Sequence, residues 1–148
     1  MNTITLTLPY PISANRYWRP VPIGKHITIV PTKEAKQYRK DVAALCIAAG
    51  VTLITGRVKV DILLYPHRPL DWKTRQRKLG ASWDDTVQCI DLDNARKVLY
   101  DSLKGVAMED DKWVREETGK RMEPDALPAR VVVTVTAIAT AQPQMGLL

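Results

Sequence analysis

Asp91-Leu92-Asp93-Asn94-Ala95-Arg96-Lys97-Val98-Leu99-Tyr100-Asp101-Ser102-Leu103-Lys104-Gly105 reads as an amphipathic helix with a marked start and stop. Leu92, Ala95, Val98, Leu99, Ser102 and Leu103 recur at three- and four-residue spacing, so they share one face and form a stripe for burial. Gly105 suits the position just past the helix end. Asp91 and Asp93 crowd the start, where the partial positive charge of the helix favours ionised carboxylates. The pattern predicts a helix over about Leu92–Lys104 packed on other elements through its apolar side.

Those other elements are mostly strands. Thr3 to Leu8 alternates threonine with aliphatic residues and is ended by Pro9 and Pro11. Ser13 to Arg19 reads as a polar, aromatic loop, and His26 to Val30 as a short second strand. Thr32 is a helix N-cap with Glu34 in the first turn. That helix runs to about Ala49, with Ala35, Tyr38, Val42, Leu45 and Ala49 inward and Gly50 closing it. Arg57 to Tyr65 is a strand with Val58, Val60, Ile62 and Leu64 on one side. His67 to Gln88 is long and irregular, the kind of loop that is functional or disordered. Trp113 to Met122 is a polar strand, Arg130 to Ile138 a Val/Thr-rich one, and Ala139 to Leu148 a loose tail. The expected fold class is therefore α+β: one domain over residues 1–148, in β-β-α-β-α-β-β order, a mixed sheet with two helices packed against it.

The chain has 148 residues, 45% of them hydrophobic, which suffices for a core without disulfides. Its formal net charge of +6 points to an anionic partner. No apolar run approaches the roughly 20 residues of a membrane span. The N-terminus has no secretory pattern, so a cytoplasmic location is expected. Cys46 and Cys89 lack metal or redox spacing and read as reduced thiols. His26 and His67 flank nothing resembling a zinc site.

Against that basic background the carboxylates are informative. Asp91 belongs to the cap and Asp93 to the first turn, so both can turn toward a point in front of the helix, with Asn94 beside them. Lys97 lies one turn beyond Asp93, and Asp110-Asp111 follow the helix. A 13-residue helix is roughly 20 Å long, so Asp111 meets the cluster only if the chain doubles back. Convergence would suit Mg²⁺, which prefers oxygen ligands and keeps several waters, and Lys97 would orient a scissile phosphate. The alternative is purely structural: Asp91 caps, Asp93 pairs with Lys97, and Asp110-Asp111 is a solvated turn. A calcium loop of the EF-hand kind is excluded, because Ala95 and Arg96 stand where a ligand and the tight-turn glycine belong.

Between His67 and Gly80 five cations, Arg68, Lys73, Arg75, Arg77 and Lys78, face a single carboxylate, Asp71. They are candidates for phosphate contacts, as Trp72 and Trp83 are for stacking on unpaired bases. A solvated loop with its tryptophans folded onto the core is the alternative.

Together these features carry a resemblance. Leu8-Pro9-Tyr10-Pro11-Ile12-Ser13-Ala14-Asn15-Arg16-Tyr17-Trp18-Arg19, then Tyr38-Arg39, then Asp91-Leu92-Asp93-Asn94-x-x-Lys97 with Asp110-Asp111 resemble the RusA family of Holliday-junction resolvases, in order and spacing, from about Thr3 to Thr136. The resemblance implies a homodimeric, Mg²⁺-dependent endonuclease, often prophage-encoded, that cuts four-way DNA junctions symmetrically in recombination and repair. It implies Asp91, Asp93 and Asp111 as metal-binding catalytic carboxylates and Lys97 as the catalytic lysine, with the subunit that supplies the third carboxylate left open. Arg16, Arg19, Arg68, Lys73, Arg75, Arg77 and Lys78 are the expected DNA contacts. The chain departs from the pattern where Cys89-Ile90 replaces arginines before the acidic motif and Met108-Glu109 replaces a bulky apolar pair. A non-catalytic branched-DNA-binding module and a flap- or RNA-directed nuclease remain alternatives.

Overall fold

The computed structural model describes residues 2–140; the part of the expected tail from residue 141 on lies outside them. Four strands, β1 (Thr3–Pro9), β4 (Val58–Tyr65), β5 (Val114–Arg121) and β6 (Arg130–Ala137), form a mixed sheet in the order β1-β6-β4-β5. The β1–β6 and β6–β4 pairs are antiparallel and β4–β5 is parallel. Alternation decides the faces. Ile4, Leu6, Leu8, Val58, Val60, Ile62, Leu64, Val131, Val133 and Val135 are buried on one side. The other side is polar and carries a hydrogen-bonded row. Thr5 and Thr134 hydroxyls lie 3.2 Å apart, and the Thr118 hydroxyl donates to Asp61 at 2.5 Å. Edge strand β5 is charged along its length, which discourages pairing with another sheet edge.

Two long helices contribute to the same core, α2 (Lys33–Ala48) and α4 (Leu92–Leu103). The Thr32 hydroxyl accepts from Ala35 N–H at 3.1 Å, as an N-cap should. The α2 stripe is Ala35, Tyr38, Val42 and Cys46; Leu45 and Ala49, expected inward, are exposed. A 3.6-residue period carries the buried face from Val42 to Cys46, one position past Leu45. On α4 the expected stripe is in place: Ala95, Val98, Leu99, Ser102 and Leu103 are buried and Leu92 half-buried.

The segment read as a loop is ordered differently. Ala14–Tyr17 forms a helical turn, α1, and Trp18–Ile23 is a strand, β2. Among the described residues it pairs only with β3 (His26–Pro31), in a separate hairpin turning at Gly24 with φ +59°. Pro20 and Pro22 cannot donate to a sheet ladder, and a two-stranded ribbon, all edge, tolerates them. The hairpin root is held by Thr32, whose N–H donates to Tyr17 O at 2.8 Å and whose hydroxyl donates to Arg16 O at 2.7 Å. The Tyr17 hydroxyl donates to Asp101, and Arg39 Nε donates to the same Asp101 oxygen at 2.6 Å. One carboxylate thus ties α1, α2 and α4 together.

The basic stretch is not an irregular arm. Trp72–Leu79 is a helix, α3, and Gly80–Thr86 is 3-10. No α3 residue is buried, so no apolar period announced it. Trp83 is the anchor: it is buried, and its indole N–H donates to Glu123 at 2.7 Å. Arg121 on β5 donates to Val87 O at 2.6 Å and Asp84 O at 2.8 Å, holding the segment from the other side. Trp83 is therefore core, not a base-stacking residue; Trp72 is half-buried beneath the Arg68 guanidinium, 4.3 Å from its ring.

Trp83→Ala is expected to destabilise the fold by about 3 kcal/mol, the typical loss for a deleted buried indole, against under about 1 kcal/mol for Trp72→Ala. Urea denaturation of both variants measures the difference. Asp101→Ala, which leaves Arg39 and Tyr17 without their shared acceptor, is expected to cost about 2 kcal/mol in the same experiment.

Candidate functional site

Asp91 occupies the N-cap of α4, with extended backbone (φ −62°, ψ 142°), and its carbonyl accepts the first helical bond from Ala95 N–H at 2.9 Å. Its side chain makes no capping hydrogen bond and is exposed. A carboxylate at a helix start that is not used to cap it remains available to a ligand. The approach to Asp91 is fixed by Tyr10, whose hydroxyl accepts from Ile90 N–H at 2.7 Å. Burial raises the Tyr10 pKa to about 12, so it stays a neutral phenol.

Asp93 is engaged on both oxygens. One accepts from Arg96; the other lies 3.2 Å from Lys97 Nζ, in an exposed pair one turn apart. The purely structural role of Asp93 is thus present, but exposed pairs of this kind contribute little to stability and open readily.

The chain reverses after α4, and Asp111 lies in a cleft with Lys97, Tyr100 and Lys104 that Asp91 does not line. The chain turns at Gly105 (φ +76°), whose N–H donates to Met108 O at 2.7 Å. Asp110 caps the 3-10 turn Asp111–Trp113 by accepting from Lys112 N–H at 3.2 Å, and pairs with Lys104 at 3.5 Å. Its hydrogen bond with Asp111, then the Lys112 N–H, pull the Asp110 pKa down to about 2, while the same bond pushes Asp111 up. Asp111 lines a cleft of about 410 Å³ with Trp18, Arg96, Lys97, Tyr100 and Lys104. Strand β5 then returns along α4. Glu117 accepts from Arg96 at 3.0 Å and from the Tyr100 hydroxyl at 2.5 Å, and a side chain on Gly119 would meet Leu92 at 3.7 Å.

Asp91 opens on a larger cleft of about 940 Å³, whose lining includes Asn94, Ser13, Arg16, His67 and Arg75. Lys97 pairs with Asp93 and shares its cleft with Asp111, while neither Asp93 nor Lys97 lines the Asp91 cleft. Among the described residues, no three His, Cys, Asp or Glu side chains are grouped so as to hold one metal ion. The expected cations are dispersed. Arg16 (on Glu34 at 2.9 Å) and Arg75 (on Asp71 at 2.9 Å) face the Asp91 cleft. Arg68 lies over Trp72; Lys73, Arg77 and Lys78 are on α3, none of them buried, and Arg19 is exposed on the hairpin.

Sequence reasoning missed Glu117, Arg121 and Asp101, which position this site. Nothing in their spacing marks them, because each finds its partner across elements far apart in the chain. Tyr17 and Arg39 did carry a signal, lying inside the two segments of the N-terminal motif.

The model for the family described as Endodeoxyribonuclease RusA matches residues 9–136. No curated protein matches the sequence. The family match starts at the last residue of β1, takes in the helix bearing Asp91, Asp93 and Lys97, and ends within β6; the chain belongs to the RusA family of endodeoxyribonucleases.

Proposed function

We propose that this protein is a Mg²⁺-dependent, structure-selective endodeoxyribonuclease that hydrolyses phosphodiesters at four-way DNA junctions, in recombination and repair. The observation that carries the reading is the uncapped Asp91 carboxylate at the head of the helix that bears the Asp93–Lys97 pair, opening on a cleft edged by Arg16 and Arg75 in a basic chain. Acidic groups collected where an anion must dock need a cation between them.

The donors fit such an ion. Asp91, Asp93 and the Asn94 amide offer only hard oxygen ligands, and Mg²⁺ is commonly held by one or two carboxylates with waters and substrate phosphate filling its shell. When bound, the metal lowers the pKa of its water and stabilises charge growing on phosphorus and on the leaving 3′ oxygen. Asp91 and Asp93 would hold it, and since Asp111 of the same chain lies in a different cleft, a third carboxylate would come from Asp111 of the partner subunit in a homodimer or from a rearrangement within the chain. Lys97 would neutralise a non-bridging phosphate oxygen once Asp93 served as a metal ligand. Asp110 and Lys104 hold the turn that presents Asp111. Arg16 and Arg75 exchange their carboxylate partners for backbone phosphates on either side of the cut. A twofold dimer suits the substrate, presenting two such sites to two opposed strands.

Asp91→Asn and Asp93→Asn should each lower the cleavage rate of a synthetic four-way junction by about a hundredfold or more, while gel-shift affinity in Ca²⁺ stays within about twofold. Mg²⁺-dependent cutting that survives in either purified variant would refute the assignment. Chelation by EDTA should stop wild-type cleavage.

Arg16→Gln and Arg75→Gln should each reduce the slope of log K against log salt by about 0.9, one phosphate contact. Fluorescence anisotropy across a salt series reads this, and an unchanged slope would remove that arginine from the interface.

A further inference from the structure

The β2–β3 hairpin holds its apolar side chains in water: Ile23, Ile27 and Ile29 are 58%, 73% and 60% exposed. A lone two-stranded ribbon is marginal in water, so such exposure on an ordered element calls for a covering partner. Directly opposed residues of antiparallel strands point to the same side. The register sets Pro20 against Ile29 and Pro22 against Ile27, which gathers these four on one apolar face. The opposite face carries Arg19 and His26 together with Val21, Ile23, Thr28 and Val30, and Lys25 sits in the turn.

Charge identifies the partner. From Asn15 to Lys33 the chain has no carboxylate, while it carries Arg16, Arg19, Lys25 and Lys33. A ribbon that bears Arg19 and Lys25 and no carboxylate complements a nucleic acid whose stacking is interrupted: phosphates meet the cations, and an exposed base face meets the aliphatic side chains. The hairpin also grows out of the site. Trp18, at its root, lines the cleft that holds Lys97 and Asp111. Its six-residue strands reach roughly 20 Å from that root.

We propose that the β2–β3 hairpin is a branch-point wedge, laying Pro20, Pro22, Ile27 and Ile29 against base pairs unstacked at the crossover. This rests on the junction-nuclease reading and adds to it the element that selects branched over linear DNA. Linear duplex buries its base faces in the stack and offers the apolar face nothing, so the preference needs no base-specific hydrogen bond.

The test is an Ile27→Thr/Ile29→Thr double variant, which keeps the β-branched residues that strands favour and removes the apolar surface. Its probe is a four-way junction carrying 2-aminopurine beside the crossover, in Ca²⁺, with a linear duplex as control. Wild type should raise 2-aminopurine fluorescence on binding, and the double variant should lose that rise. The variant should bind the junction about tenfold more weakly and the duplex within about twofold, with oligomeric mass by light scattering and circular dichroism unchanged. Retained junction affinity and fluorescence would overturn the wedge alone. A fall in oligomeric mass would also overturn it, assigning the face to a second copy of the chain. Wild-type protein that binds junction and duplex equally would instead overturn the junction-nuclease reading beneath it.

Discussion

Burial of one stripe of α4 governs the arrangement of everything else. Ala95, Val98, Leu99, Ser102 and Leu103 are closed into the core. At 100° per residue, that burial leaves Asp93, Lys97 and Lys104 on the exposed side and Asp91 at the uncovered start. Rotation of the helix would trade apolar contact for buried charge, at several kcal/mol for each unpaired ion. The position of the acidic residues is thus a consequence of core packing, not of contacts among the acidic residues themselves.

A second layer of contacts fixes the surroundings of that helix. Asp101 joins α1 and α2 to α4, Tyr10 meets the backbone just before Asp91, and Glu117 links β5 to the middle of α4. The parallel β4–β5 pair demands a crossover, and here the crossover carries both α3 and α4. The extra helix forms part of the wall of the Asp91 cleft and places Arg75 there. Cys89-Ile90 precedes the acidic motif, and the cation Arg75 reaches the cleft from α3. The segment from α3 to Thr86 is held by Trp83 and Arg121, so Arg75 projects from a supported element and not from a free loop.

The core and the site differ in how openly the chain announces them. Strands β1, β4 and β6 have a period of two, and α4 a period near 3.6, so their inward faces follow from residue spacing alone. The motif Asp91-Leu92-Asp93-Asn94-x-x-Lys97 is local and equally readable. The α3 segment, Trp72-Lys73-Thr74-Arg75-Gln76-Arg77-Lys78-Leu79, has no apolar period because no residue of it is buried, and its helix is hidden in the sequence for that reason. The β2 strand is obscured by Pro20 and Pro22, which argue against a sheet interior and say nothing against an isolated ribbon.

By itself, the sequence determined the α+β class, the buried faces of β1, β4, β6 and α4, the basic charge, and which carboxylates and lysine lie at the head of one helix. Each is a property of neighbours along the chain, set by helix and strand periodicity. Only the tertiary structure decided that Asp111 shares a cleft with Lys97, that Asp91 opens on a different and larger one, that Trp83 is core, and that the hairpin stands free. Those facts depend on where a chain reversal lands and on which long-range partners satisfy buried polar groups, and neither is encoded in local spacing.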